Sequence, residues 1–389
     1  MIEYCQGMLP VDIHQATLAD VENLLANKVP EGLRLDYKRD TVGKQDKDVV
    51  EFLKDVTSFA NAAGGDIVFG VAESKGVPAS IEGLPDVTDV DAEILRLNQM
   101  ILTGIEPRLG VTFHAILRAG AGPIILARVP RGWAGLYMVS RSGAQRFLGR
   151  TNAGKYPLDV HQIRAGFLSG IEIGERARRF RDERLMRIRA GEAPVALKHD
   201  HGFVLHCIPA SAFGNTETIN IGDARSAGIL AMYPRGSNFR FMIDGLAAFS
   251  DESYTILFRN GSLESMSERL VRNPVPSGLL AGAVVRGIRE FQRLAVKFGL
   301  QPPGFVLGTL FGAKGSTFAV RTELGGTSYY DSLPLDRDVL FVPDAIVFDW
   351  QQDPLVTARP ILDALWQAAG LPECDLGDED LLALERDRR

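Results

Sequence analysis

The sequence has few cysteines and no long hydrophobic run. Its three cysteines, Cys5, Cys207 and Cys374, are far apart, and no CxxC pair occurs. This pattern argues against a cysteine zinc cluster and predicts free thiols in a reducing compartment. No run of about 18 apolar residues occurs, so we expect no membrane span. The first twelve residues lack the basic start and apolar core of a secretory signal, so we expect a cytoplasmic protein.

The sequence also lacks an excess of positive charge. Its net charge is -6, so the overall balance does not predict nucleic-acid binding, although a local basic patch can still supply it. Residues 176–189 form such a patch, with seven arginines and two acids. We expect a helical linker over 171–194 in which Arg176 and Arg179 contact phosphates. The alternative is a solvated connector helix whose arginines pair with nearby acids.

Hydrophobic residues make up 46% of the 389 residues, which is enough apolar material for two α+β domains. In the first 170 residues, segments in which apolar residues recur at every second position are interspersed with segments in which they recur at helical spacing. This arrangement predicts one domain over 12–170, with a mixed sheet and helices. The predicted helices are 17–26, a strong one around 49–60, 90–105 and 158–168; the predicted strands are 33–38, 67–71, 111–117 and 123–130.

The chain becomes β-rich after Pro194, which predicts a second α+β domain over 195–389. Asn260-Gly261 is a typical hairpin turn. The role of this domain stays open. The predicted strands are 203–209, 239–244, 254–266, 305–312, 317–323 and 339–348, and the predicted helices are 279–298 and 357–369.

Three acids are associated with the strands predicted over 33–38 and 67–71. Glu31 and Asp36 lie before and within the first strand, and Glu73 follows the second. If these strands pair, Asp36 and Glu73 lie at one end of the sheet. Converging carboxylates suit Mg²⁺ or Mn²⁺, which can activate water for phosphodiester cleavage, and Lys38 could contact the phosphate. The alternative is that the acids are solvated groups on strand ends and turns.

The segments 31-EGLRLDYKRD-40 and 50-VEFLKDVTSFANAAGGDIVFGVAE-73 resemble the AlbA-like domain of Schlafen proteins and their bacterial relatives. The shared pattern is a Glu, four residues, an acid-aromatic-Lys, a helix ending in Asn and Gly-Gly, and a strand followed by an acid. The run 146-RFLGRTNAGKYPLDVHQIRAGF-167 resembles the closing strand and helix of the family. The resemblance covers about residues 12–168. One departure is Asp36, where the family usually has Glu.

The resemblance implies a nucleic-acid-associated fold. It also implies that Glu31, Asp36 and Glu73 bind metal in a ribonuclease site that cuts structured RNA such as tRNA. The basic turn over 146–155 lies near the same sheet in this type of domain, so Arg146, Arg150, Asn152 and Lys155 are candidate phosphate contacts.

We favour a module that binds RNA or DNA without cleaving it. A metal-dependent ribonuclease is the alternative, and an ATP-binding regulatory protein is a second alternative. Schlafen nucleases pair two such lobes, whereas this chain shows one. Cleavage would therefore require a homodimer or a contribution from the second domain.

Overall fold

The computed structural model describes residues 9–10, 13–118, 120–132, 135–141, 143, 146–213, 219–233, 235, 238–300, 302–319 and 332–386. The chain divides into two compact units, Met1–Glu172 and Ile173–Arg389. Across these described ranges, no helix combines the length and the apolar character needed to cross a membrane.

The first unit alternates helices and strands. Its elements are α1 (Leu18–Ala26), β1 (Leu35–Lys38), α2 (Asp46–Ala60), β2 (Gly65–Phe69), β3 (Val71–Ser74), β4 (Val77–Ile81), α3 (Val90–Gly104), β5 (Ile105–Glu106), β6 (Thr112–Arg118), β7 (Ala121–Val129), β8 (Met138–Val139), β9 (Leu148–Thr151), β10 (Gly154–Pro157) and the start of α4 (Val160–Arg189).

The main sheet of the first unit has the order β1-β2-β7-β6 and is mixed. The β1 and β2 strands pair in parallel, with Asp36 opposite Ile67, so the condition that these two strands pair is met. Residues on β2 alternate between two cores, as expected for a strand covered on both sides. Ile67 and Phe69 pack with α2 and α3. Val68 packs with α1 on the opposite face. The predicted α+β fold with a mixed sheet is confirmed.

Two glycines allow α2 to lead directly into β2. Gly64 has a φ of +68°, and a Cβ atom there would lie 2.9 Å from the Val129 carbonyl oxygen. A Cβ atom on Gly65 would lie 2.6 Å from the Arg34 carbonyl oxygen. The turn therefore needs glycine both for its backbone conformation and for the close approach of neighbouring strands.

The strand predicted over 67–71 runs over Gly65–Phe69 in the structure, so it begins and ends two residues earlier. The chain leaves β2 after Phe69 and turns at Gly70, whose φ is +95°. It then enters β3, which pairs with β4 in a separate hairpin that the sequence did not predict. Glu73 is consequently on the hairpin and not at the end of the main sheet.

The helix predicted over 158–168 and the helical linker predicted over 171–194 are not separate elements, because α4 is continuous from Val160 to Arg189. The intervening Ser169-Gly170 pair is a weak helix breaker, since glycine costs only about 1 kcal/mol relative to alanine. The last part of α4 is not a solvated connector. Leu185 and Ile188 are buried against the second sheet.

The second unit is built on an eight-stranded antiparallel sheet. The elements that follow α4 are β11 (Gly202–Pro209), α5 (Ile221–Ala224), β12 (Asn238–Phe241), β13 (Gly245–Ser250), β14 (Ser253–Phe258), β15 (Leu263–Ser267), α6 (Ser277–Lys297), β16 (Gly304–Phe311), β17 (Val339–Phe341), β18 (Ala345–Val347), α7 (Pro354–Ala368) and α8 (Asp378–Arg386). The strand order in the sheet is β12-β13-β14-β15-β11-β16-β17, and β18 also pairs with β16.

Both faces of this second sheet are covered by helices. Helices α6 and α7 pack on one face and the end of α4 packs on the other. The hairpin predicted at Asn260-Gly261 is confirmed, because β14 and β15 pair across it. Cys207 and Cys374 are free and buried. Cys5 and residues 320–323 of the predicted strand 317–323 lie outside the described residues.

Candidate nucleic-acid interface

A cluster of five charged side chains joins the main sheet of the first unit to α2 and to the β9–β10 hairpin. We call it the charge cluster. Its members are Asp36 and Lys38 on β1, Asp55 on α2, Arg150 on β9 and Lys155 on β10.

The two carboxylates of the charge cluster are buried and paired. Asp36 is 4% exposed and lies 3.2 Å from Lys38 Nζ and 3.3 Å from Arg150 Nη2. Asp55 is 3% exposed and lies 2.6 Å from Lys155 Nζ and 3.3 Å from Lys38 Nζ. Burial alone would lower the pKa of Lys38, but the negative charges of Asp55 and Asp36 outweigh it and raise that pKa. Two buried negative charges are thus compensated by cations of the protein itself.

Arg150 is held by the protein on every side. Its Nε donates to the Gly32 carbonyl oxygen at 2.8 Å, and its guanidinium lies 4.0 Å from the centre of the Phe59 ring. It is 8% exposed. Asn152, on the same hairpin, accepts a hydrogen bond from the Leu33 amide at 3.2 Å. These two predicted phosphate contacts therefore fasten the β9–β10 hairpin to the segment before β1.

Glu31 and Glu73 lie beside the charge cluster, at the β3–β4 hairpin. Glu31 Oε1 accepts from the Tyr37 amide at 3.0 Å, and Glu73 Oε2 accepts from the Gly76 amide at 2.6 Å. Burial, a hydrogen bond with Asp36 and the charges of Asp36 and Glu73 together raise the pKa of Glu31 to about 7. The three predicted carboxylates are therefore near enough to interact electrostatically.

These carboxylates do not form a ready-made metal site. Within the described ranges, no group of three or more His, Cys, Asp or Glu side chains is arranged to hold a metal ion. Oxygens of all three acids already face protein donors: Lys38 and Arg150 at Asp36, and backbone amides at Glu31 and Glu73. Metal binding by this set stays a prediction.

An open groove of about 530 Å³ lies next to the charge cluster, between α2 and the β9–β10 hairpin. Its lining includes the cationic side chains Lys54, Arg146 and Lys155, the acidic side chain Glu51 and the aromatic ring of Tyr156. Lys155 lies 2.5 Å from Glu51 Oε1. The groove therefore combines a net positive lining with an aromatic ring. We call it the basic groove.

The arginine-rich part of α4 is mainly structural. Arg184 binds Glu264 through two hydrogen bonds of 2.7 and 2.9 Å in the interior of the second unit. Arg178 and Arg189 bind acids on the surface of that unit. The predicted phosphate contacts Arg176 and Arg179 lie on exposed positions of the same helix.

Sequence reasoning missed Asp55, the carboxylate with the most cationic partners in the charge cluster. A signal was present, because Asp55 falls at helical spacing between Phe52 and Phe59 on the apolar face of α2. An acid at a buried helical position needs a cationic partner, because an unpaired buried charge is costly. The partner could not be named, since Lys155 is 100 residues away along the chain.

Residues 31–159 match the family model of the Schlafen AlbA_2 domain. By this match, the segment is similar to the Schlafen AlbA_2 domain family. The match contains the whole charge cluster and the basic groove, and it confirms the resemblance noted in the sequence. The match ends before the second unit.

Two solved structures match parts of the chain. The DIP2311 protein from Corynebacterium diphtheriae is 20% identical over 36% of this chain, with a TM-score of 0.24. The aligned part spans 26% of that protein's length. The N-terminal domain of a "putative ATP-dependent DNA helicase RecG-related protein" from Nitrosomonas europaea is 25% identical, with a TM-score of 0.22. That alignment covers 28% of this chain and 71% of the domain. No curated protein is significantly similar to the chain.

Proposed function

We propose that the Schlafen AlbA_2 domain binds nucleic acid through the basic groove. The observation that carries this proposal is the lining of the groove, which places Lys54, Arg146 and Lys155 around Tyr156. Cationic side chains attract the phosphate backbone regardless of sequence, and an aromatic ring can stack on an unpaired base. The groove lies entirely within the segment that matches the family.

Binding without cleavage is the function that this geometry favours. Asp36 and Asp55 are already paired with Lys38, Arg150 and Lys155, so the charge cluster is electrostatically complete without an added ion. In this function the charge cluster has a structural role. It fixes β10, which carries Lys155 and Tyr156, against α2, which carries Lys54.

The test is fluorescence anisotropy with labelled tRNA, single-stranded DNA and double-stranded DNA, over a range of salt concentrations. We expect Arg146→Gln to weaken binding and to reduce the salt dependence by roughly one phosphate contact. The matched control is Arg141→Gln, which removes the same charge from an arginine that pairs with Asp46 outside the groove lining. Equal losses in both variants would show a nonspecific charge effect and would refute the groove as the binding surface.

Metal-dependent cleavage of RNA is the second candidate function. The observation in its favour is the mutual influence of Glu31, Asp36 and Glu73, since neighbouring negative charges contribute to the raised pKa of Glu31. A bound Mg²⁺ or Mn²⁺ would relieve this repulsion and would activate water. The three acids would hold the ion, and Lys38 would contact the phosphate.

Cleavage is tested by incubating purified protein with labelled tRNA in Mg²⁺, in Mn²⁺ and in EDTA, beside the double variant Glu31→Ala/Glu73→Ala. Metal-dependent products that disappear in the double variant would establish the nuclease. A shifted but uncut tRNA in all three conditions would support binding alone. Light scattering on the same samples measures whether the protein forms a homodimer, which is one of the two ways, beside a contribution from the second domain, in which the second lobe would be supplied.

A further inference from the structure

The second unit contains a cavity of about 200 Å³ that the nucleic-acid proposal does not use. It lies between α6, the segment 228–232 and the strands β14 and β15. Its charged lining consists of four arginines and one carboxylate, namely Arg235, Arg286, Arg289, Arg293 and Glu290. We call it the arginine cavity.

The carboxylate of the arginine cavity is already engaged. Glu290 forms two hydrogen bonds with Arg293, at 2.9 and 2.7 Å. In the lining, the four arginines exceed the single acid by three. Arg286 is fixed by a hydrogen bond of 2.7 Å to the Leu384 carbonyl oxygen on α8. Three of the four arginines, Arg286, Arg289 and Arg293, lie on α6.

The wall of the arginine cavity opposite α6 presents two hydroxyl groups. Thr255 and Ser265 are directly opposite each other on β14 and β15, and their oxygens are 3.0 Å apart. They are 2% and 4% exposed. A pair of hydroxyls uses one proton for its mutual hydrogen bond, so the second proton can be donated to an acceptor in the cavity. Hydroxyl donors beside guanidinium groups are well suited to phosphate oxygens.

We propose that the arginine cavity binds a small phosphate-bearing molecule. Its size favours a small molecule over a nucleic-acid strand, since it lies below the range of about 300–1,000 Å³ that is typical of drug-sized ligands. Arginine is the side chain best matched to phosphate because its planar fork can donate two parallel hydrogen bonds. The second unit would then respond to a small anion, independently of nucleic-acid binding by the first.

The test is isothermal titration calorimetry of the 389-residue protein with inorganic phosphate, AMP and ATP. Citrate is titrated as well, as an anion whose charge comes from carboxylates. We expect a phosphate-bearing probe to bind, and Arg289→Gln to weaken that binding about ten-fold or more, as for loss of a charge-assisted hydrogen bond. Ser265→Ala tests the hydroxyl pair separately and is expected to weaken binding by a few-fold. Arg337→Gln is the matched control, because Arg337 is an exposed arginine that pairs with its neighbour Asp336 and lies outside the cavity lining.

The four probes distinguish the sources of the anion. Binding of inorganic phosphate with the same affinity as AMP would place recognition on the phosphate alone, whereas tighter binding of AMP or ATP would indicate a nucleotide. Citrate binding as tight as phosphate binding would overturn the assignment to phosphate. The proposal is also overturned if no probe binds, or if Arg289→Gln and Ser265→Ala leave binding unchanged. Loss of tRNA affinity in Arg289→Gln without binding of any probe would instead assign the cavity to a nucleic-acid surface.

Discussion

Replacement of Asp55 by asparagine is the sharpest test of the charge cluster. The substitution keeps the volume of the side chain and removes its charge. It leaves Lys155, Lys38 and Arg150 without the carboxylate that lies 2.6, 3.3 and 3.9 Å from their respective nitrogens. Because asparagine fills the same space, any loss of stability reports on charge and not on a packing defect.

The expected loss of stability in Asp55→Asn depends on how deeply each cationic partner of Asp55 is buried. Removal of one partner from a fully buried ion pair costs about 3–5 kcal/mol. The side chains of Lys155 and Lys38 are 24% and 38% exposed, so both can regain part of their hydration. Arg150 is more deeply buried, but it keeps Asp36 as a partner. We therefore expect Asp55→Asn to lower the free energy of unfolding of the first unit by about 2–3 kcal/mol.

The assay must report on the first unit alone, because a chain with two compact units need not unfold in a single transition. Hydrogen exchange measured by mass spectrometry on peptides from β1, α2 and β9 meets this requirement. A loss of about 2–3 kcal/mol corresponds to exchange that is roughly 30- to 150-fold faster in the most protected amides.

Glu51→Gln is the matched control for this experiment. Glu51 lies one turn before Asp55 on the same helix and also pairs with Lys155, but its side chain is 55% exposed. An exposed pair of this kind contributes about 0–1 kcal/mol. If Asp55→Asn accelerates exchange no more than Glu51→Gln does, the charge cluster is not a stabilising core and the reasoning is refuted.

The remaining predictions concern the acids of both units. The pKa of Glu31 is raised from 4.5 to about 7, so between these values the native state binds more protons than the unfolded chain. The free energy of unfolding should therefore fall as pH rises from 4.5 to about 7. Urea titrations over this pH range should show that the Glu31→Gln variant lacks this part of the pH dependence. Glu264→Gln should destabilise the second unit by about 3–5 kcal/mol in calorimetry, because it leaves the buried Arg184 unpaired. Although burial opposes it, Arg184 and His206 lower the pKa of Glu264 to about 2. This stabilisation should be present above pH 4.5 and lost as pH falls toward 2, and a variant that retains the wild-type acid sensitivity would contradict the assignment.

Local patterns in the sequence predicted the framework of the candidate site. The apolar face of α2 and the Gly64-Gly65 turn depend on residues that are close along the chain. Periodicity and turn chemistry report directly on such features. The continuity of α4 was missed because a glycine inside a helical pattern is a weak signal that tertiary packing can override. The β3–β4 hairpin was missed because Gly70 was read as part of a continuous strand.

The charge cluster could not be predicted from local patterns, because the same residue types support two different sites. Glu31, Asp36 and Lys38 near an apolar strand fit a metal-binding set, and they fit equally well an acid set compensated by basic side chains. Which of these two sites forms depends on Arg150 and Lys155. Their side chains pair with Asp36 and Asp55 from a hairpin about a hundred residues further along the chain.

Cations supplied by the protein change what the acids can do. A carboxylate that is paired with arginine and lysine already has its charge compensated, so a metal ion would have to compete with those cations for its oxygens and change their pairing. Nucleic-acid binding requires no such change, since Arg146 and Tyr156 already face the basic groove. The short side chain of Asp36 fits this conclusion. It keeps the carboxylate close to β1, within 3.3 Å of the Arg150 Nη2 atom that compensates it.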